Sequence, residues 1–398
     1  MIGIDVQLQR ELTPGCATGH HFNAAGAALP TSRTLETVID YLRQEAATGG
    51  YEAAKAAVER SDETYAAIAR LTGACTDEVA FVESATRAWQ TLVASLRLER
   101  GDHVVVTRSE YVSNAMMLLG LERERGVVLH IIGTTAAGTI DLDELEAALA
   151  STPVAFVALG HIPTFSGLVE PVEAVGALAN RFGVPFVLDA TQSLGQLPLD
   201  VQSIGCDALV STGRKFLRAP RGTGILVVRR PLLERLEPWA PDVRGAEWSS
   251  ARLYELRDGA RRFETWEHSP ALRHGLGAAA AQALELGIDN IAGAIAAMAA
   301  ELRTRLADLP GVQLADPPAA GSGIVTFTVE GVPAATVAER LARHRVRVVA
   351  VPASHGQWEL GARGVPAVVS ASVHYYNDLN DLDALGAALE TLGVGTQV

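Results

Sequence analysis

The 398-residue sequence predicts an α/β domain with a mostly parallel sheet, followed by a smaller C-terminal α+β unit. Three observations predict it. From about Asp102 to Val228, short apolar runs alternate with helical stretches. That alternation stops after Val228, and a second set of strands and helices begins past residue 263. Strands separated by helix-length crossovers pair in parallel, and the right-handed crossovers cover both faces of the sheet.

The first set of strands reads HVVVT (103–107), VVLHII (127–132), VAFVAL (154–159), VPFVLD (184–189), DALVST (207–212) and GILVV (224–228). Each is nearly continuous in apolar residues, as expected of strands covered on both faces. LDELEAALA (142–150) and PVEAVGALANRFG (171–183) are helical connections. Pro231 to Arg262 has weak periodicity and reads as a long functional loop. A single long helix is expected over about 270–309, then strand 324–329, helix 334–344, strands 346–351 and 367–373, and a last helix over about 379–392. The expected division is therefore a large unit over 21–262 and a small unit over 263–398, with residues 1–20 packed on the latter.

Composition narrows the function. Apolar residues are 48% and charged residues 20%, the balance of a globular chain with an ample core. A net charge of −13 repels a phosphate backbone, so nucleic acid is not an expected partner. No run reaches the roughly 18 apolar residues of a membrane span, and Asp5, Arg10 and Glu11 interrupt any leader-like start. Cys16, Cys75 and Cys206 are widely spaced and read as buried small side chains in a reducing cytoplasm. The ten histidines show no HExxH or other paired ligand spacing, so no metal is expected. Of 33 basic residues only Lys55 and Lys215 are lysines, so chemistry that needs an amine has two candidates. Lys55 lies in the Ala-rich helical stretch YEAAKAAVER, where a solvated cation is the ordinary expectation.

Lys215 is placed differently. VPFVLD ends in Asp189, and 26 residues later STGRK carries Lys215 to the same edge of the sheet. Ligands of open α/β sheets bind outside the carboxyl ends of the strands. A carboxylate and an amine there suit pyridoxal 5'-phosphate: the lysine forms the Schiff base and the aspartate keeps the pyridine nitrogen protonated. Ser84, Ala85 and Thr86 sit where FVESATRAWQ passes from strand to helix, a place for an anion at a helix N-terminus. Tyr111, just past the strand HVVVT, offers a ring to the pyridine face. Each of these has an ordinary alternative, a helix cap for Ser84 and core packing for Tyr111.

The run VPFVLDATQSLGQLPLDV with CDALVSTGRKFL resembles the class V aminotransferase family, the cysteine desulfurase-like branch of fold-type I pyridoxal phosphate enzymes. The likeness extends from HFNAAGAALP (21–30) to HYYNDLNDLDAL (374–385). It implies that Lys215 binds the cofactor, that Asp189 pairs with its ring nitrogen, and that Gln192 and Thr164 meet the ring oxygen. It also implies a phosphate shell of Ala85, Thr86, Thr212 and Arg214, and Tyr111 where desulfurases stack a histidine. Asn23, Ala25, His355 and Arg363 are the substrate contacts it suggests. A homodimer with shared sites is implied as well, Gly49–Tyr51 and Glu264–Ser269 being the loops offered to the neighbour.

The departures carry most of the functional reading. Desulfurases have a nucleophilic cysteine on the loop before the last strand, whereas VPASHGQWELGARG (351–364) has none, and His355 lies near that place. Ser370 stands where the family's carboxylate-gripping arginine is expected, and Glu267 where a partner's threonine would meet the phosphate. GGYEAA, SEYVSN and GRKFLRAPRGTG are similar to the family's C–S lyases and isopenicillin-N-epimerase-like members. The expectation is thus a β-eliminating C–S lyase acting on an S-substituted cysteine of secondary metabolism. The alternatives are a decarboxylating oxidative deaminase, aminotransferase or epimerase of a bulky amino acid, and an inactive regulator on the same fold.

Overall fold

The computed structural model describes residues 3–392. Its centre is a seven-stranded sheet of β1 (Val79–Val82), β2 (His103–Thr107), β3 (Val128–Ile132), β4 (Val154–Gly160), β5 (Phe186–Asp189), β6 (Ala208–Thr212) and β7 (Gly224–Val228). The spatial order is β1-β7-β6-β5-β4-β2-β3. Strands β2 to β6 pair in parallel, and β7 runs antiparallel to both β6 and β1. The reversal at β7 follows from chain length: residues 213–223 are too few for the crossover that a parallel return needs.

Alternate residues of the apolar runs enter two separate cores. Val105, Leu159, Leu188 and Leu209 join one cluster, while Val106, Ala158, Val187 and Val210 join the other. Both faces of the sheet are covered, which is why the strands read as unbroken apolar runs. Asp189 and Thr212 end the neighbouring strands β5 and β6.

Four antiparallel strands form a second sheet in the order Val312–Leu314, Ile324–Val329, Ala367–Ser372, Val349–Pro352. The N-terminal helix Val6–Glu11 is tied to the C-terminal segment, Arg10 pairing with Asp378 at 3.1 Å and Asp381 at 2.7 Å.

Several expectations need correction. The helix expected over 270–309 is two helices, Pro270–Leu286 and Ile288–Asp308, which meet at 83°. Gly287 sits at the break with φ 81°, a conformation that glycine adopts without strain. Apolar periodicity runs through the junction because both helices bury one face, so the bend left no trace in the pattern. Residues 231–262 are not one loop; they hold the hairpin Ala246–Ser250 and Leu253–Leu256. Its strands are largely exposed, and they lack the apolar alternation that would reveal them. The run 346–351 divides into Val346–Arg347, paired with His20–His21, and Val349–Pro352 in the second sheet. Of the three cysteines only Cys206 is buried; Cys75 is exposed and Cys16 is intermediate. Among the described residues no single helix is long and apolar enough to cross a membrane.

Candidate active site

The C-terminal edge of the parallel strands collects the groups expected there. Asp189, at the end of β5, is buried and receives two hydrogen bonds. The Thr191 N–H donates to Oδ1 and the Asn114 amide donates to Oδ2, both at 2.9 Å. Lys215 follows β6 after a two-residue turn and is buried. Gly213 makes that turn possible, since a Cβ there would lie 2.6 Å from Thr223 Oγ1 and 2.7 Å from the Ala219 Cβ. Among the described residues nothing forms an ion pair with the Lys215 amine. Burial, then the neighbouring Arg214 guanidinium, bring its pKa down to about 7, with Asp189 opposing the shift.

Tyr111 caps the helix Val112–Arg125, and its ring centre lies 5.8 Å from Lys215 Nζ. Gln192 is buried; its amide nitrogen donates to the Ala25 carbonyl at 3.2 Å and to Thr164 Oγ1 at 3.4 Å. Thr164 thereby keeps its own hydroxyl proton for another acceptor. Ala25 also anchors the N-terminal segment, its N–H donating to Ser372 Oγ at 2.9 Å. Asn23 lies two residues away, bridged to Ser372, with a buried Oδ1 that has no partner.

The helix Ala85–Ser95 begins next to β7, where Gly224 lets the Ser84 backbone approach; a Cβ there would lie 2.5 Å from it. Ser84 Oγ accepts the Arg87 N–H at 3.1 Å, yet its hydroxyl proton stays free to donate. The first amides of the helix, at Ala85 and Thr86, have no intrahelical acceptor. Thr212 differs from expectation: its hydroxyl donates to the Thr223 carbonyl at 2.9 Å, so it must turn before it can serve an anion.

His355 and Arg363 are not brought together. His355 ends the turn Ala353–His355 and borders a cleft of about 180 Å³ with Glu110, Met116 and Trp358. Arg363 lies in a separate crevice beside Ser109 and Phe165, 3.5 Å from Glu359. Ser370 is wholly buried in the second sheet, its hydroxyl without a partner among the described residues.

The two segments expected to serve a neighbouring subunit adjoin one another. Tyr51, Trp266, Glu267 and His268 line an open cleft of about 690 Å³. Glu264 departs from this expectation because it is turned inward. It accepts hydrogen bonds from the Phe81 N–H, the Tyr65 hydroxyl, Arg244 and Arg273. Only residues 265–269 form the outer part of that segment.

Sequence reading missed three polar groups. Glu110 accepts from the Tyr111 N–H at 2.8 Å and from the same Asn114 amide at 2.9 Å that holds Asp189. Glu170 accepts from Ser109 and from the Ile140 N–H, both at 2.8 Å. The one available signal was the spacing of Glu110 and Asn114, four residues apart on the turn that enters a helix. Glu170 lies far from Ser109 in the chain and had none.

A family description, "Aminotransferase class-V", matches residues 20–385. The chain belongs to the class V aminotransferases. Class V aminotransferases use pyridoxal 5'-phosphate, which is the cofactor of this enzyme. A probable cysteine desulfurase of Methanothermobacter thermautotrophicus is 29% identical over 373 residues, covering 92% of each chain. A probable hercynylcysteine sulfoxide lyase of Mycobacterium tuberculosis is 29% identical over 373 residues, covering 93% of this chain and 89% of its own. The fold is that of the cysteine desulfurase of Thermococcus onnurineus NA1, with a TM-score of 0.91 at 24% identity, covering 98% and 99% of the two chains.

The site fits this cofactor on its own geometry. The Gln192 Oε1 and Thr191 Oγ1 atoms near Asp189 are buried and have no hydrogen-bond partner among the described residues. A pH dependence follows. Only the neutral amine attacks a carbonyl, and the Lys215 pKa is about 7. Stopped-flow absorbance of the apoprotein mixed with pyridoxal phosphate should show the attachment rate rising with pH through about 7, then levelling off. A rate still climbing at pH 9 contradicts this.

Proposed function

We propose that this class V aminotransferase is a C–S β-lyase that cleaves an S-substituted cysteine, a substrate of secondary metabolism. The observation that carries the reading is the loop before the strand Ala367–Ser372. It holds His355 beside Glu110 and no cysteine, so no thiol is present there to receive sulfur as a persulfide. The Mycobacterium tuberculosis relative supports it, since it is named as a probable lyase of hercynylcysteine sulfoxide.

Bound pyridoxal phosphate supplies an electron sink for the charge left at the substrate Cα. Asp189, held by Thr191 and Asn114, would pair with the ring nitrogen and keep its proton in place. Lys215 takes the α-proton; a pKa near 7 leaves much of the amine unprotonated at neutral pH. Tyr111 would stack against the ring, Thr164 and Gln192 would meet the ring oxygen, and Ser84, Ala85, Thr86 and Arg214 would hold the phosphate. The Cα–H and Cβ–S bonds break, and the sulfur leaves with the bonding pair and takes up a proton as thiol. Hydrolysis of the remainder gives pyruvate and ammonia.

Two copies of the chain complete the site in this reading. Tyr51 is 78% exposed and Trp266 is 51% exposed at the open cleft, apolar area that a second copy would cover.

The test is incubation of the holoenzyme with a cysteine S-conjugate. Pyruvate and free thiol in equal amounts are expected. Carbon dioxide or hydrogen peroxide instead would overturn the lyase reading in favour of a decarboxylating oxidative deaminase; the second reading also takes in an aminotransferase or epimerase of a bulky amino acid, which would leave the sulfur in place. Ser370 is the observation behind that second reading, because a neutral buried hydroxyl cannot grip a carboxylate as an arginine does. A protein that stays colourless after addition of pyridoxal phosphate would point to an inactive regulator.

A further inference from the structure

Asn114 stands between two carboxylates. Its single amide nitrogen donates to Asp189 Oδ2 and to Glu110 Oε1, each at 2.9 Å. An asparagine so placed must turn its nitrogen toward both acids and its oxygen away. Remove the Glu110 acceptor, and the amide is free to rotate its oxygen toward Asp189, where two acceptors would repel. Glu110 is itself fixed: Oε1 also receives the Tyr111 N–H, while Oε2 is buried and has no partner among the described residues. It has 2% of its surface exposed, and it borders the cleft of about 180 Å³.

We propose that Glu110 is a positioning residue for the pyridine-nitrogen carboxylate: through Asn114 it orients Asp189, and its charge adjusts how firmly Asp189 holds the ring nitrogen's proton. The inference rests on the family's cofactor and is independent of which substrate bond is broken.

The charge around Glu110 is asymmetric. On the sheet side stands Asp189, on its own segment are Arg108, Tyr111 and Asn114, and His355 lines the same cleft. Burial, and next the Asp189 charge, push the Glu110 carboxyl up to about 7, against the hydrogen bonds from Asn114 and Tyr111. Near neutral pH Glu110 therefore passes between acid and anion. A protonated pyridine brought to Asp189 favours the anion, so cofactor binding releases a proton from Glu110 below its pKa of about 7, and affinity increases as pH rises toward about 7 and levels off above it. Lys215 titrates in the same range, and a variant of Glu110 separates the two.

The experiment measures the dissociation constant of pyridoxal phosphate by fluorescence at pH 6 and pH 8.5, for the parent and Glu110→Gln. Gln keeps an acceptor for Asn114 and removes the charge. The parent's constant should tighten over that range by about tenfold more than the variant's, equivalent to one unit of pKa coupling. With ¹⁵N-labelled cofactor, the ring-nitrogen signal of Glu110→Gln should move toward the unprotonated position at pH 8.5. Parallel pH profiles with an unmoved ring-nitrogen signal overturn the proposal. Melting of the two apoproteins reports whether the variant folds. Should Glu110→Gln not fold, Asn114→Ala removes the hydrogen-bonded link and keeps the charge; its ring-nitrogen signal must move toward the unprotonated position at pH 8.5, an unmoved signal overturning the proposal. A parent that binds no pyridoxal phosphate would sink the cofactor assignment instead, which keeps the two failures distinguishable.

Discussion

Lys215→Ala should abolish covalent cofactor attachment and reduce turnover by about a thousandfold or more, the loss expected when the proton-transferring group is removed. In the parent, borohydride reduction followed by peptide mapping should place the cofactor on Lys215 alone, and label on Lys55 would overturn the assignment. Lys55 lies in the short helix Gly50–Ala56 and lines the open cleft. Stability should move differently from activity. The folded pKa of Lys215, about 7, is below its ordinary value of 10.5, so the unfolded chain holds this proton more tightly. The lysine therefore costs the apoprotein stability at low pH, and the cost fades as pH rises from about 7 toward 10.5. The Ala variant's apoprotein should compare best with the parent at or below pH 7, and its relative advantage should shrink at pH 9. A melting-temperature difference that grows with pH contradicts this account.

Glu264→Ala should give the largest loss of stability. Its carboxylate is fully buried and lies 2.7 Å from Arg244 and 3.0 Å from Arg273. Removing it leaves two guanidinium groups without their anion and the Phe81 N–H and Tyr65 hydroxyl without their acceptor. Breaking a buried pair from one side costs about 3–5 kcal/mol, and urea denaturation measures it directly. Burial alone would raise this carboxyl's pKa, but Arg273 and Arg244 with the hydrogen bonds hold it below the usual range. Because the folded pKa is depressed, the stabilisation is present above the ordinary glutamate pKa and is lost as pH falls through the folded value. The parent should therefore converge on Glu264→Ala in acid, and a gap that persists at pH 2 would show that packing rather than charge holds this junction.

Much of the site's inner half was legible because it is sequential. Asp189, Gln192, Thr212 and Lys215 lie on two neighbouring strands and their turns, and strand ends in an open parallel sheet converge on one crevice. The outer half was not. His355 and Arg363, eight residues apart in the chain, face different crevices, because the irregular turns between them rotate one away from the other. Thr212 is at the right strand end, yet its hydroxyl already serves the Thr223 carbonyl. Glu264 looked like part of an outward loop, whereas its four donors come from residues 65, 81, 244 and 273.

Local chemistry in the sequence determined the sheet, its strands, the family and the single amine at the sheet edge. Those features depend on apolar runs, turn residues and spacing, all of which act between neighbours in the chain. Tertiary structure alone decided the bend at Gly287, the inward turn of Glu264, and the line from Glu110 through Asn114 to Asp189. These depend on which distant donors and acceptors meet in a space that excludes water. There an unpaired charge is costly, and one asparagine amide serves two acids brought together from separate segments of the chain.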